Sequence, residues 1–508
     1  MISFKQNNEI TYDDKDLMEE NIFITAQADK TPLPVFEDIK TLLPQPLWDG
    51  HEDALKCYWK AWEIAFSNIR MPKESTGFVS SYIDAAFNGC IFMWDSAFML
   101  MFGKYADRIF KFQKTLDNFY SHQHVDGFIC RQIEEETGND VFTRHDPSST
   151  GPEVMAWCEW DYFLNFGDKE RLSCVYPCLI AYHQWMREHF TWRDGTYFSS
   201  GYGCGMDNCP RLDEKYHVCY DHGHMIWVDA CMQELNACNI LLKMSDVLGR
   251  KEFVDELTEE RDLLFKVIND KLWDDETKFY YDLKKDDTFN GVKHIGAFWS
   301  LLAKCVPDDR VEDFIAHLNN ENEFKTVHRV PTLSKDHEEY NPAGGYWCGS
   351  VWAPTNYMVL KGLDEYKKFA LSHEIACEHL NAVVEVFKET DTLFENYAQE
   401  LVDGKYNKGS MSRADFVGWT GLSPISIMFE YVFGIKPDAA NNKITWHINL
   451  LERHGIDKYP FGKNGELKLI CEKRKNVSEK PKITVESNLP VILEIIWDNG
   501  SRSETISV

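Results

Sequence analysis

The chain has 508 residues, 44% of them hydrophobic and 14% aromatic, with 54 Lys and Arg against 82 Asp and Glu and a formal net charge of −28. That composition builds a sizeable globular core and excludes a disordered chain. So acidic a surface excludes nucleic acid and anionic membranes as partners, since both need a cationic footprint, and leaves a neutral small molecule as the best-fitting substrate.

The first twenty residues contain no basic segment followed by an apolar run, and no stretch approaches 18 consecutive apolar residues. Neither a secretory signal nor a transmembrane helix is expected. The 15 cysteines are an odd number and form no CxxC; the nearest neighbours are Cys174/Cys178 and Cys204/Cys209. Free thiols in a reducing, cytoplasmic compartment are the simplest expectation.

Residues 1–50 are polar and interrupted by Pro32, Pro34, Pro44 and Pro46. They predict an irregular arm with one or two short strands. From 51 to 436 apolar residues recur at three- and four-residue spacing, the period of amphipathic helices. The pattern predicts helices over 53–68, 94–102, 105–122, 152–166, 169–190 and 225–248. Six more are expected over 251–272, 292–305, 309–318, 351–363, 365–390 and 414–433. Gly167-Asp168, Gly195 and Gly249 mark the joints. Twelve helices in antiparallel succession, without alternating strands, fit a mainly α fold, an (α/α)6 helical barrel of six hairpins. Residues 437–508 change character. Segments 443–450, 467–472 and 490–497 read as strands, and Asp498-Asn499-Gly500 as a hairpin turn. They predict a small C-terminal antiparallel β domain.

Four segments concentrate Trp, Gly and carboxylates. Asp95, in Trp94-Asp95-Ser96, is either a helix N-cap on a buried indole or a carboxylate gripping sugar hydroxyls. Asp207 follows three glycines and precedes Pro210; it is an Asx turn or a carboxyl desolvated so that it can donate a proton. Trp347 and Trp352 flank Gly349, either as a hydrophobic wedge or as the wall of a sugar subsite. Glu395, in Leu393-Phe394-Glu395-Asn396-Tyr397, lies among apolar residues, where a carboxylate is paired or used. Glycosidic hydrolysis needs two carboxyl groups flanking the anomeric carbon. Asp207 and Glu395 lie 188 positions apart, so only the fold can join them.

These segments resemble glycoside hydrolase family 63 and, more distantly, the trehalases of family 37. Gly205-Met206-Asp207-Asn208-Cys209-Pro210-Arg211 is similar to the family 63 loop whose Asp is the general acid. Glu395-Asn396-Tyr397 resembles the segment whose Glu is the general base, and Trp94-Asp95-Ser96 the motif that holds the sugar. Tyr346-Trp347-Cys348-Gly349-Ser350-Val351-Trp352 and Gly418-Trp419-Thr420-Gly421-Leu422 resemble two further family motifs. The resemblance spans roughly residues 85–430 and keeps the family's order. It implies an inverting exo-glycosidase acting on an α-linked glucoside or mannoside, with Asp207 as acid and Glu395 as base. It needs no cofactor and singles out no metal ligand, and it leaves open whether a structural ion is bound.

The substrate-binding candidates are Trp94, Asp95, Arg131, Trp157, Asn208, Arg211, Tyr346, Trp347, Gly349, Trp352, Tyr397 and Trp419. Cys348 stands where many relatives have Arg, and Gly151 where Gln is common; both are expected to bear on specificity. Asp221, His222 and His224 have no convincing further ligand and read as a loop, not a metal site. Two rivals remain. A sugar epimerase or lyase on the same toroid would draw on His222, His224 and Tyr397. A non-catalytic carbohydrate-binding protein would keep binding without the two carboxyls.

Overall fold

The structure, a computed structural model, describes residues 20–86 and 88–508. Its helical part runs through α1 (Glu52–Ser67), α2 (Met93–Gly103), α3 (Thr115–Ser121), α4 (Met155–Phe166), α5 (Lys169–His189) and α6 (Val228–Leu248). It continues with α7 (Val254–Lys271), α8 (Trp299–Leu302), α9 (Val311–Ala316), α10 (Ala353–Glu365), α11 (Phe369–Thr390) and the π-wound α12 (Ser423–Val432). The strands are β1 (Gln45–Trp48), β2 (Cys90–Phe92), β3 (Gln132–Glu134), β4 (Ile435–Asp438), β5 (Lys443–His447), β6 (His454–Phe461), β7 (Gly465–Cys471), β8 (Ile483–Ser487), β9 (Ile492–Trp497) and β10 (Arg502–Ser507), besides two-residue pairs.

Local signals set the helix ends. Ala54, Tyr58, Ala61, Trp62 and Ala65 bury one face of α1, while Glu52 and Asp53 complement the dipole of its first turn. Gly167, at φ 65°, ends α4, and the Asp168 carboxylate accepts from Arg171 N at 3.1 Å to start α5. Gly249, at φ 70°, ends α6 in the same way.

The helices differ in how much they bury. Every residue of α2 and α12 is buried, as are most of α4, α6 and α10. These helices touch one another in order: α2 to α4 to α6, then through α8 to α10 and α12, and from α12 back to α2. Outside them, α1 and α11 pack on α12, and α5 and α7 pack on α6. Past the C-terminal end of α2, Lys104 is 2% exposed and contacts Asp161 of α4 and Glu430 of α12. Lys361 of α10 reaches the same two carboxylates, at 3.2 and 2.6 Å. An unpaired charge there would cost several kcal/mol, so these four charges, matched two against two, lock four interior helices at the end remote from Asp95.

Several expected helices are shorter or broken; that over 414–433 is wound only over Ser423–Val432, after a turn at Trp419–Leu422. Over 105–122 there are turns at Lys104–Ala106 and Phe112–Lys114 before α3. Gly103 packs so closely on Phe112 that a Cβ would lie 2.7 Å from its side chain. Over 292–305 a turn at Ile295–Phe298, begun where the His294 ring accepts from Gly296 N, precedes the single turn of α8. α6 begins three residues late, because Ile226 and Trp227 are tied to Leu283 O and Tyr197 O.

The strands form two four-stranded sheets, β1-β6-β7-β8 and β10-β9-β5-β4. The end of the N-terminal arm is thus ordered: β1 pairs with β6 from Gln45↔Asp457 to Trp48↔His454. Asp498 and Asn499, at φ 57° and 52°, turn β9 into β10. The expectation of an antiparallel β domain needs one correction, since β9 and β5 run parallel. Alternation fixes the buried face of a strand and says nothing of its neighbour's direction. Here the chain leaves β5, builds three strands of the other sheet and re-enters beside β5 in the same direction. None of the helices among the described residues is long and apolar enough to cross a membrane.

Candidate active site

Two of the candidate side chains meet through a strand pair. β2 and β3 align Phe92 with Gln132, and Met93 N donates to Arg131 O at 2.8 Å. This sets Arg131 beside the first turn of α2, which carries Asp95. Arg131 Nε donates to Ser148 O at 2.9 Å, and its guanidinium lies over the rings of Phe142 and Tyr202 at 4.8 and 5.2 Å.

Asp207 is presented by a compact loop. The Ser200 hydroxyl accepts from Gly203 N at 3.0 Å and caps a single turn, Gly201–Cys204. Gly205, at φ 79°, ends that turn, and a Cβ there would lie 3.2 Å from the Trp94 ring. Glycine therefore lets the loop rest against the indole with the chain in the left-handed region. Asn208, directly after Asp207, joins this loop to another. Its Oδ1 accepts from Trp347 N at 2.8 Å, and its Nδ2 donates to Gly345 O at 3.1 Å. Cys348 Sγ donates to Asn208 O at 3.3 Å.

Glu395 is 4% exposed and is held through its backbone. Its N–H donates to Arg413 O at 3.0 Å, and Trp419 Nε1 donates to its carbonyl at 3.0 Å. The Tyr397 hydroxyl accepts from Phe394 N at 3.2 Å, so Tyr397 braces the segment from within. Tyr346, at φ 63°, donates its hydroxyl to Glu395 Oε1 at 3.1 Å.

The electrostatics distinguish the carboxyls. Asp207 is pushed up to about 7, chiefly by desolvation; Arg131 opposes the shift and the Glu395 charge adds to it. Burial also raises Glu395, while the Tyr346 hydroxyl and Arg413 favour its ionised form. Asp95 is held well above the usual aspartate range by burial and by the Glu395 charge. Its Oδ1 is buried without a hydrogen-bond partner. Residues 95, 131, 207, 346 and 395 thus form one electrostatic group.

Most of the other candidates are packed against neighbouring rings or backbone. Trp347 and Trp352 stack at 4.1 Å and 5°, with Trp419 5.4 Å from Trp352 and Tyr346 at 4.9 Å. Trp347 and Trp352 therefore each use one face on the other, whereas Tyr346 is half-buried. Trp94 and Trp157 both pack on Trp299, at 6.2 and 5.6 Å. Gly349, at φ 138°, has no room for a side chain: a Cβ would lie 2.6 Å from Gln399 Nε2. Arg211 is 2% exposed, with its guanidinium bonded to Asp229 and Asp282 at 2.6–2.9 Å and 4.0 Å above the Trp227 ring. It braces the Asp207 loop from behind, and its donors are already taken. Gly151, at φ 87°, packs toward Gly203 O, where a Cβ would lie at 3.1 Å. His222 and His224 pack at Trp192. Arg413 was not singled out by the sequence; no motif marks it, and only folding brings it to Glu395.

Asn208→Ala removes the joint between the Asp207 loop and the Tyr346 loop. We expect kcat/KM to fall about 10–100-fold, since misplacement of about 1 Å costs that much. Unpairing Trp347 N–H should cost about 1–3 kcal/mol, read by urea denaturation.

A helical domain whose buried carboxyls, Asp95, Asp207 and Glu395, form one electrostatic group near several indoles has the residue types of a carbohydrate-active site. The family model for the mannosylglycerate hydrolase MGH1-like glycoside hydrolase domain matches residues 91–416. The chain belongs to this family, within glycoside hydrolase family 63, and is a glycosidase. It is similar to an uncharacterised protein of Borreliella burgdorferi, 26% identical over 387 residues, covering 75% of this chain and 78% of the relative. It is also similar to a probable mannosyl-oligosaccharide glucosidase of Schizosaccharomyces pombe, 23% identical over 296 residues, covering 51% of this chain and 34% of that protein. Among solved structures, the mannosylglycerate hydrolase of Thermus thermophilus in complex with glucose matches with a TM-score of 0.58 at 18% identity, covering 72% of this chain and 99% of that one.

Proposed function

We propose that the chain is an inverting, exo-acting glycosidase of an α-linked glucoside or mannoside, with Asp207 as general acid and Glu395 as general base. The observation that carries this reading is the Asp207 carboxyl, pushed up to about 7 beside a second buried carboxyl. An acid must hold its proton at neutral pH to give it away. Glu395 Oε takes a proton from a water, whose oxygen forms the new bond to the anomeric carbon. On the other side of the sugar, Asp207 gives its proton to the leaving oxygen as the old C–O bond breaks. Tyr346 orients Glu395, and Arg131 and the unpartnered Asp95 Oδ1 suit sugar hydroxyls.

The order of helix contacts supports an (α/α)6 barrel over 51–436, with a small β domain over 437–508 joined by the end of the 1–50 arm. The fifteen free thiols support a cytoplasmic location. A glucoside or mannoside is favoured by the names of two relatives, a mannosyl-oligosaccharide glucosidase and a mannosylglycerate hydrolase. A proton NMR time course on α-linked disaccharides and α-mannosylglycerate tests the reading. The β-anomer of the released sugar is expected first; the α-anomer first would overturn inversion.

A further inference from the structure

A second polar cluster lies in the interior, outside the catalytic group. Glu153, two residues past Gly151, points to His183 of α5 and Glu234 of α6, and all three are at most 2% exposed. His183 Nδ1 lies 3.0 Å from Glu153 Oε2 and 3.4 Å from Glu234 Oε2. Glu153 Oε1 is buried and has no hydrogen-bond partner. The other ring nitrogen, Nε2, lies 3.3 Å from Glu260 Oε2 of α7. Glu260 is itself held by Arg187 Nε at 3.3 Å and by the Tyr197 hydroxyl.

We propose that Glu153, His183 and Glu234 bind one divalent transition-metal ion, Zn2+ by preference, which ties α5 and α6 to the segment leading into α4. Three features point to a cation. First, one candidate ligand atom from each residue lies within 4.8 Å of the others, and all three residues are buried. Tetrahedral bonds of about 2.0–2.1 Å place neighbouring ligand atoms about 3.3 Å apart, close to the 3.0 and 3.4 Å seen here. Second, a ligating imidazole turns its other N–H to a carboxylate, the position of Glu260; that fixes the tautomer whose lone pair sits on Nδ1. Third, negative charge is in excess. Glu153, Glu234 and Glu260 surround the His183 ring with one guanidinium, Arg187, which Glu256 also shares, so the group needs added positive charge, a metal ion or protons, to become neutral. Imidazole and carboxylate oxygens suit Zn2+ first and Mn2+ next, whereas Mg2+ prefers oxygens and water.

With three protein ligands, the fourth position would be left to a water, and the ion's part would be to tie these segments together. Tyr182, beside His183, donates or accepts at Thr150 Oγ1 at 2.7 Å and accepts from Gly151 N at 3.1 Å. A metal on His183 therefore stiffens the segment that packs against the turn before Asp207. The rival arrangement is a proton shared between Glu153 and Glu234, which leaves His183 as an imidazolium.

The test uses the whole protein, expressed with Zn2+ and passed over a desalting column, then analysed by inductively coupled plasma mass spectrometry. About one Zn2+ per chain is expected, falling at least fivefold in both His183→Gln and Glu234→Gln. Stripping wild type with a chelator should lower Tm by about 2–5 °C, and Zn2+ alone should restore it, Mn2+ partly and Mg2+ not. Wild type holding under about 0.2 metal ions per chain after growth in Zn2+, with Tm unmoved by chelator or Zn2+, would overturn the site and leave the shared proton. Equal metal content in a folded Glu234→Gln variant would overturn it as well. The wild-type measurements decide even if the variants do not fold.

Discussion

Asp207→Asn is expected to lower kcat by about 10²–10⁴-fold on any natural substrate, with KM little changed, because it removes proton donation and keeps the shape of the site. The pH profile carries the sharper test. As the proposed acid, Asp207 must be protonated, so kcat/KM should fall as pH rises through about 7. Glu395 must be ionised, so activity should also fall on the acid side, at a pH above the ordinary glutamate value because burial raises it. The expected profile is a bell. Glu395→Gln should lower kcat by a similar factor. In Asp207→Asn, the alkaline limb should vanish from the residual activity measured with a substrate bearing an activated leaving group. A residual alkaline limb at the same pH would reassign the acid.

Stability has its own signature at this carboxyl. The folded state holds the Asp207 proton more tightly than the unfolded chain, whose aspartate titrates near 3.8. The cost of ionising it is absent below pH 3.8, grows between 3.8 and about 7, and is complete above that. At about 1.4 kcal/mol per pH unit it is at most on the order of 4 kcal/mol, less what solvent screening removes from a partly exposed group. Asp207→Asn should therefore raise Tm above that of wild type at pH 8 and not at pH 4. The proposed acid is held at the expense of stability, as is common at catalytic sites.

The second large effect is expected at Arg211. Arg211→Met leaves Asp229 and Asp282, both fully buried, without their shared counter-charge. The Arg211 guanidinium now holds Asp282 well below the usual aspartate range. Breaking such a buried set typically costs about 3–5 kcal/mol, read by urea denaturation. Because Arg211 stands four residues after Asp207, activity at low temperature should also drop, through kcat more than KM. A variant as stable as wild type would show that the two aspartates take up protons or water at little cost.

Arg211 also shows where sequence reading stops. The loop motif marks it as important and, by resemblance, as a substrate contact. Its role depends on Asp229 in the first turn of α6 and on Asp282, 71 residues away, which no pattern links to it. The same holds for Asp161, Lys361 and Glu430, which look like surface charges on amphipathic helices, and for Lys104, which looks like a loop charge between two; yet the four meet in the interior. Helix periodicity reports a residue's place on its own helix and not which helix lies opposite. The stack of Trp347 on Trp352 is a similar case, because the spacing gives two indoles but not which faces are left for a sugar.

The sequence by itself determined the helical class, the succession of helices, the joints at Gly167-Asp168 and Gly249, and the turn at Asp498-Asn499. These depend on short-range chemistry: periodicity, caps and left-handed residues. It also marked Asp207 and Glu395, through the glycines and aromatic residues packed into their loops. The tertiary structure alone decided the parallel pairing of β9 with β5 and the bonds that make Asn208 a joint between loops. It alone joined Asp95, Arg131, Tyr346 and Glu395 around Asp207, and Glu153, His183 and Glu234 in the interior. A proton affinity is set by desolvation and by charges within a few ångströms, and those neighbours come from segments up to 300 positions apart.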